Sequence, residues 1–174
     1  MPGLASRGLC SGGVLDCSGS GFTARYMWNH NPDGRVTLYL YHLDKPGQYG
    51  DHMSVGFTFR PGEWHHIIQR VKQNSGNSYD GIIETWIDGN LVQSESNLRF
   101  DGSHIDRFYF STFVGGGSPS YELPHTSHIW FDDITVSTLH ADIPWSGVDN
   151  NPEDVRADGD DGDGLKPGGS SPGQ

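Results

Sequence analysis

No stretch of ten or more residues in this chain repeats its apolar side chains at helical spacing. Eight short stretches instead alternate or cluster apolar residues as strands do: 21–29, 36–43, 53–59, 65–72, 81–87, 90–95, 105–113 and 128–138. Turn signals separate them. Ile87-Asp88-Gly89-Asn90 sets Asp-Gly between two apolar runs, a strong hairpin signal, and Pro61-Gly62-Glu63-Trp64 feeds the run that starts at His65. A chain that is all short strands and tight turns buries its apolar side chains between two sheets. The expected fold is an all-β jelly roll, a two-sheet antiparallel sandwich.

Composition agrees. Only 33% of the 174 residues are hydrophobic, but 11% are aromatic and 25 are glycine, so few large side chains and many turns must build the core. That length suits one domain. No run approaches the roughly 18 apolar residues of a membrane span, and no membrane partner is expected. The net charge of −11 argues against nucleic acid. The charge is uneven. Residues 1–45 carry Arg7, Arg25, Arg35 and Lys45 against Asp16, Asp33 and Asp44, the least acidic part of the chain. From Val148 onward, Asp, Gly, Pro and Ser replace nearly everything apolar. The domain is therefore expected over 1–145, with 146–174 an acidic, disordered tail. Asp158, Asp160, Asp161 and Asp163 in that tail do not fit a calcium loop, because Gly162 falls where a ligand is required. Cys10 and Cys17 are read as a small disulfide loop of a secreted protein, the alternative being two free thiols. The opening residues Met1-Pro2-Gly3-Leu4 carry no leader pattern.

One hairpin carries chemistry. Asn31-Pro32-Asp33-Gly34 reads as a turn, with Pro32 presetting φ and Gly34 accepting the left-handed conformation. A three-residue loop would pair Asn31 with Arg35, Arg25 with Tyr41 and Met27 with Tyr39. Alternation then gives one face Thr23, Arg25, Met27, Thr37, Tyr39 and Tyr41, and the other Phe22, Ala24, Tyr26, Trp28, Leu38 and Leu40. The second face is core. The first sets an arginine beside two tyrosines. Arginine holds a carboxylate bidentately, and a tyrosine near a cation can transfer protons. Those are the needs of β-elimination in a uronic acid polymer: neutralise the carboxylate, remove the C5 proton, protonate the leaving oxygen. No metal or organic cofactor is required. The plainer reading is an arginine stacked on aromatic rings for packing alone.

Further motifs surround this hairpin. They are Pro2-Gly3-Leu4, Gly12-Gly13, the run Gly21 to Trp28, Tyr39-Leu40-Tyr41-His42, Tyr49-Gly50-Asp51, Gly62-Glu63-Trp64, Asp80-Gly81, Trp86-Ile87-Asp88-Gly89, the run Ile105 to Phe113 and Trp130-Phe131-Asp132-Asp133. Over residues 1–138 the chain resembles the polysaccharide lyase 14 family. The resemblance implies a jelly roll with an open cleft and cleavage of alginate or a glucuronan. It implies Arg25, Tyr39 and Tyr41 as catalytic residues, with Thr23 at a small-hydroxyl position. It also implies a secreted protein, here expected to be a monomer. The family's motif has a lysine just before the Pro-Gly-Leu stretch, where this chain has Met1. Either strands and a lysine lie upstream, or the protein is a relative that binds and cuts poorly. A jelly roll short of N-terminal strands would be association-prone.

Lys45 and His30 complete the expected substrate contacts, as a cation near Tyr41 and a side chain beside the hairpin turn. His42 should point away from the tyrosines. His65 and His66 face opposite ways, and His125 and His128 lack a third ligand, so no metal site is expected. Two non-enzymatic readings stay open: a carbohydrate-binding module on the same scaffold, and a structural domain of a longer secreted protein.

Overall fold

The computed structural model describes residues 2–28, 34–101, 104–112, 119, 126 and 128–143. They form eight strands and one short 3-10 turn at His140–Asp142. The strands are β1 (Pro2–Ala5), β2 (Thr23–Trp28), β3 (Arg35–Tyr41), β4 (Asp51–Thr58), β5 (Ile67–Lys72), β6 (Gly81–Ile87), β7 (Asn90–Leu98) and β8 (Arg107–Phe110). One antiparallel sheet has the order β4-β3-β2-β1-β8, and the other has β5-β6-β7. The two-sheet sandwich is the jelly-roll architecture that the strand pattern predicts. Among the described residues no helix is long and apolar enough to cross a membrane.

The core lies between the sheets. Phe22, Ala24, Tyr26, Val36, Leu38, Leu40 and Val55 of the larger sheet meet Ile83, Ile87, Leu98 and Phe100. The Tyr26 hydroxyl is buried and satisfied by Thr85 Oγ1 at 2.8 Å, which anchors β2 to β6. At Ile87-Asp88-Gly89-Asn90 both central residues have positive φ, 51° and 81°, the type I′ geometry that suits the strands' twist.

Three expectations need correction. The β2–β3 register is shifted by two residues: Thr23 faces Tyr41, Arg25 faces Tyr39 and Met27 faces Thr37. The last described pair is Trp28 with Val36, and the turn residues 29–33 lie outside the described residues. The β4 side holds this arrangement: Arg35 pairs with Thr58, and Phe59 N–H donates to the Gly34 carbonyl at 3.0 Å. A shift of two keeps every side chain on its face, so both faces survive the correction. Pro2–Ala5 is a strand that the sequence pattern did not flag, central between β2 and β8. Residues 128–138, expected as a strand, pair with nothing among the described residues, and Ile129, Trp130, Ile134 and Val136 are exposed. Alternation says which face a strand would bury; it does not supply the edge to pair with.

Candidate active site

Residues directly opposite in an antiparallel pair project to the same face. Tracing one rung across the larger sheet gives His52 (β4), Tyr39 (β3), Arg25 (β2), Gly3 (β1) and Tyr109 (β8). This rung lies on the outer face, away from the core. The next rung holds Tyr41, Thr23, Ala5 and Arg107. Arg25 is at the centre. Its guanidinium carbon is 5.3 Å from the Tyr39 ring, 5.9 Å from Tyr41 and 5.1 Å from Tyr109. Its Nε is buried and has no hydrogen-bond partner among the described residues. The His52 ring packs on Tyr39 with centroids 4.5 Å apart.

The tyrosines are held from several sides. Their hydroxyls are 3.1 Å apart. Gly13 N–H donates to the Tyr41 hydroxyl at 3.1 Å and Gly50 N–H to that of Tyr39 at 3.3 Å. Position 50 must be glycine, because a Cβ there would lie 2.7 Å from the Tyr41 ring and 2.9 Å from Tyr39. Burial, then the hydrogen bond with Tyr41, pushes the Tyr39 phenol up to about 12, so it is a protonated donor at neutral pH.

The face is less open than the sequence suggests. Cys10 and Cys17 form a disulfide whose loop lies against Tyr41, and the three make a small second core. Tyr41 is 1% exposed and Thr23 fully buried. Two expected substrate contacts hydrogen-bond to backbone carbonyls in and near this loop. Thr23 Oγ1 donates its single proton to the Cys10 carbonyl at 2.8 Å. Lys45 Nζ donates to the carbonyls of Val14, Leu15 and Gly47 at 2.5, 2.8 and 2.6 Å, using all three of its protons. Its ammonium does lie 5.7 Å from the Tyr41 ring, so it is a fixed cation beside that phenol, with no donor left for a sugar. His30 lies outside the described residues, as do His125 and 144–174. His42 turns inward, its Nε2 2.8 Å from Asp51 Oδ2. His65 and the His66 backbone both bind Asp88. Among the described residues no three His, Cys, Asp or Glu side chains gather as a metal site.

The sequence reading missed His52, Gly3 and Tyr109. A signal for Tyr109 existed: Arg107-Phe108-Tyr109-Phe110 alternates polar with apolar, as Tyr39-Leu40-Tyr41 does. Using it required knowing that Pro2–Ala5 bridges β2 and β8.

The polysaccharide lyase 14 family model matches residues 1–134. The chain belongs to the polysaccharide lyase 14 family. Among solved structures, alginate lyase Aly36B is 30% identical with a TM-score of 0.57 over 71% of this chain. Two variants of that enzyme are 29% identical and match as well, with TM-scores of 0.57 and 0.58 over 71% of this chain and 55% of theirs. One, with a lysine and a tyrosine replaced by alanine, is in complex with an alginate tetrasaccharide; the other, with a lysine and a methionine replaced, holds a trisaccharide. The marine alginate lyase from Aplysia kurodai is 28% identical, with a TM-score of 0.58 over 70% of this chain. The chain spans only 55% of the length of these relatives. A comparison with curated protein sequences finds no match.

Proposed function

We propose that this polysaccharide lyase 14 domain cleaves an acidic polyuronate, alginate or a glucuronan, by β-elimination on the outer face of the larger sheet. The observation that carries the reading is Arg25 within 6 Å of two tyrosine rings whose hydroxyls touch. The guanidinium binds the uronate carboxylate and spreads its charge, which acidifies the C5 proton. The base takes that proton, the C4–O4 bond breaks, a C4–C5 double bond forms and the acid protonates O4. Tyr39 is assigned the acid, because its phenol carries a proton at neutral pH and it is only partly buried, whereas Tyr41 is 1% exposed. Tyr41 is its partner in proton transfer. For Tyr41 to touch a sugar, the Cys10–Cys17 loop has to give way.

The oligosaccharide complexes add support. The methionine and the tyrosine substituted in them stand at the same separation in sequence as Met27 and Tyr41. Met27 lies on the same face as Arg25 and Tyr39, so it joins the proposed substrate contacts. The substituted lysine stands further ahead of that tyrosine than this sequence extends ahead of Tyr41. One observation favours a second reading, a non-catalytic binding module: the Tyr41 hydroxyl is occupied by Gly13 N–H beneath the disulfide loop.

Mass spectrometry of alginate and glucuronan products tests the proposal. Elimination leaves an unsaturated sugar with no water added. Such products from the parent protein, and none from Arg25→Ala or Tyr39→Phe, are expected. Hydrolytic products, or unchanged products from both variants, would refute it. Binding without products would favour the module.

A further inference from the structure

We propose that Arg107 and Tyr109 of β8 form a second carboxylate-binding subsite, which takes a neighbouring uronate of the same polymer. The inference rests on the proposed polyuronate function and extends it from one sugar to two.

Three observations carry it. Tyr109 shares a rung with Arg25, and Arg107 shares the next rung with Thr23 and Tyr41, so both project from the face that holds the site. Between Tyr109 and Arg25 β1 contributes only Gly3, and on the Arg107 rung it contributes the small side chain of Ala5. A Cβ at Gly3 would fall 1.9 Å from the Ala24 carbonyl oxygen, so no larger residue fits there. The Arg25 guanidinium accordingly reaches across to within 5.1 Å of the Tyr109 ring. Finally, Arg107 is exposed and has no ion pair among the described residues, whereas Arg60, Arg70 and Arg99 each meet a carboxylate. In a chain of net charge −11, a guanidinium beside the site with no ion pair among the described residues is notable for what it leaves open.

The geometry suits a polymer better than a single sugar. β8 lies two strands from β2, so the two arginines are offset by roughly 10 Å across the sheet. Each can take one carboxylate bidentately, and the Tyr109 ring beside Arg25 offers an apolar surface to a sugar face. β8 also ends the sheet among the described strands, so a chain can pass over it and leave.

Calorimetric binding of an alginate hexasaccharide over a salt series tests the subsite, on the full chain and on Arg107→Ala, Arg107→Lys and Tyr109→Phe. Arg107 is exposed on the last described strand of the sheet, so its replacement should leave the fold intact, which the melting temperature checks. Arg107→Ala should weaken hexasaccharide binding about tenfold and flatten its salt dependence. Arg107→Lys should keep the salt dependence. Equal affinity and equal salt dependence in Arg107→Ala and the parent would overturn the subsite and leave the polyuronate reading standing. No hexasaccharide binding by the parent would overturn both.

Discussion

In the proposed mechanism Tyr39 is the residue on which the chemistry turns most directly. Its hydroxyl is touched by Gly50 N–H and the Tyr41 hydroxyl, and removing it leaves the ring packing against His52 in place. Tyr39→Phe is therefore expected to lower kcat by about 10²–10⁴, the worth of one positioned proton transfer, with a smaller change in KM. Steady-state rates on polyuronate check this. The raised pKa has a separate consequence for stability. Below pH 10 the phenol is protonated in both folded and unfolded chains. Between 10 and about 12 the unfolded chain loses its proton first, so stability falls as pH rises through that window. An ultraviolet tyrosine titration should show late-titrating phenols, one fewer in Tyr39→Phe, because burial also pushes Tyr26 up. Arg25, Tyr39 and Tyr41 were legible in the sequence because parity alone assigns a face. The occupations of Thr23 and Lys45 were not legible, since both depend on where a loop of eight residues comes to rest.

At the scale of elements, the Cys10–Cys17 loop connects stability to the site. It is tied down by the disulfide, by Thr23, by Lys45 and by the Tyr41 hydroxyl. Cys10→Ser with Cys17→Ser is expected to destabilise the fold by roughly 2–3 kcal/mol, the loop-closure contribution of so short a ring. The double variant should also admit solvent to Tyr41, read as stronger quenching of tyrosine fluorescence by acrylamide. Denaturant melts give the first quantity. The strands themselves show what a pattern conveys. β6, with Gly81–Ile87 alternating buried and half-buried, matched its predicted bounds because both of its edges are paired. β1 went unseen because Pro-Gly-Leu-Ala is four residues long with two poor strand formers. Its place is fixed by its neighbours β2 and β8, which are remote in sequence. Residues 128–138 are the converse, a good pattern without a partner strand among the described residues.

For the whole molecule, the larger sheet has five described strands and the smaller three. β8 pairs opposite β1 with Phe108 and Phe110 on the core side, yet both are exposed. Phe131 packs on Phe110, and Trp130 is 71% exposed nearby in sequence. Phe108, Phe110 and Phe131 stack as a row of rings at this edge, the kind of exposed apolar surface that favours association. Self-association that rises with concentration is expected in sedimentation velocity, and Trp130→Ser with Phe110→Ser should reduce it. A single monomeric species at every concentration would show the row to be covered. Fold class was legible because turn chemistry and alternation are local. The extent of the sheets was not, because sheet coverage depends on partners that a pattern cannot name.

The central claim is elimination at the Arg25 face, and the most direct test is ultraviolet absorbance of the C4–C5 double bond during incubation with alginate and with a glucuronan. A steady rise with one of these polymers for the parent chain, and a flat trace for Arg25→Ala at equal folded concentration, is the predicted result. A rise that persists unchanged in Arg25→Ala, or no rise with either polymer from a protein that binds both, would contradict it.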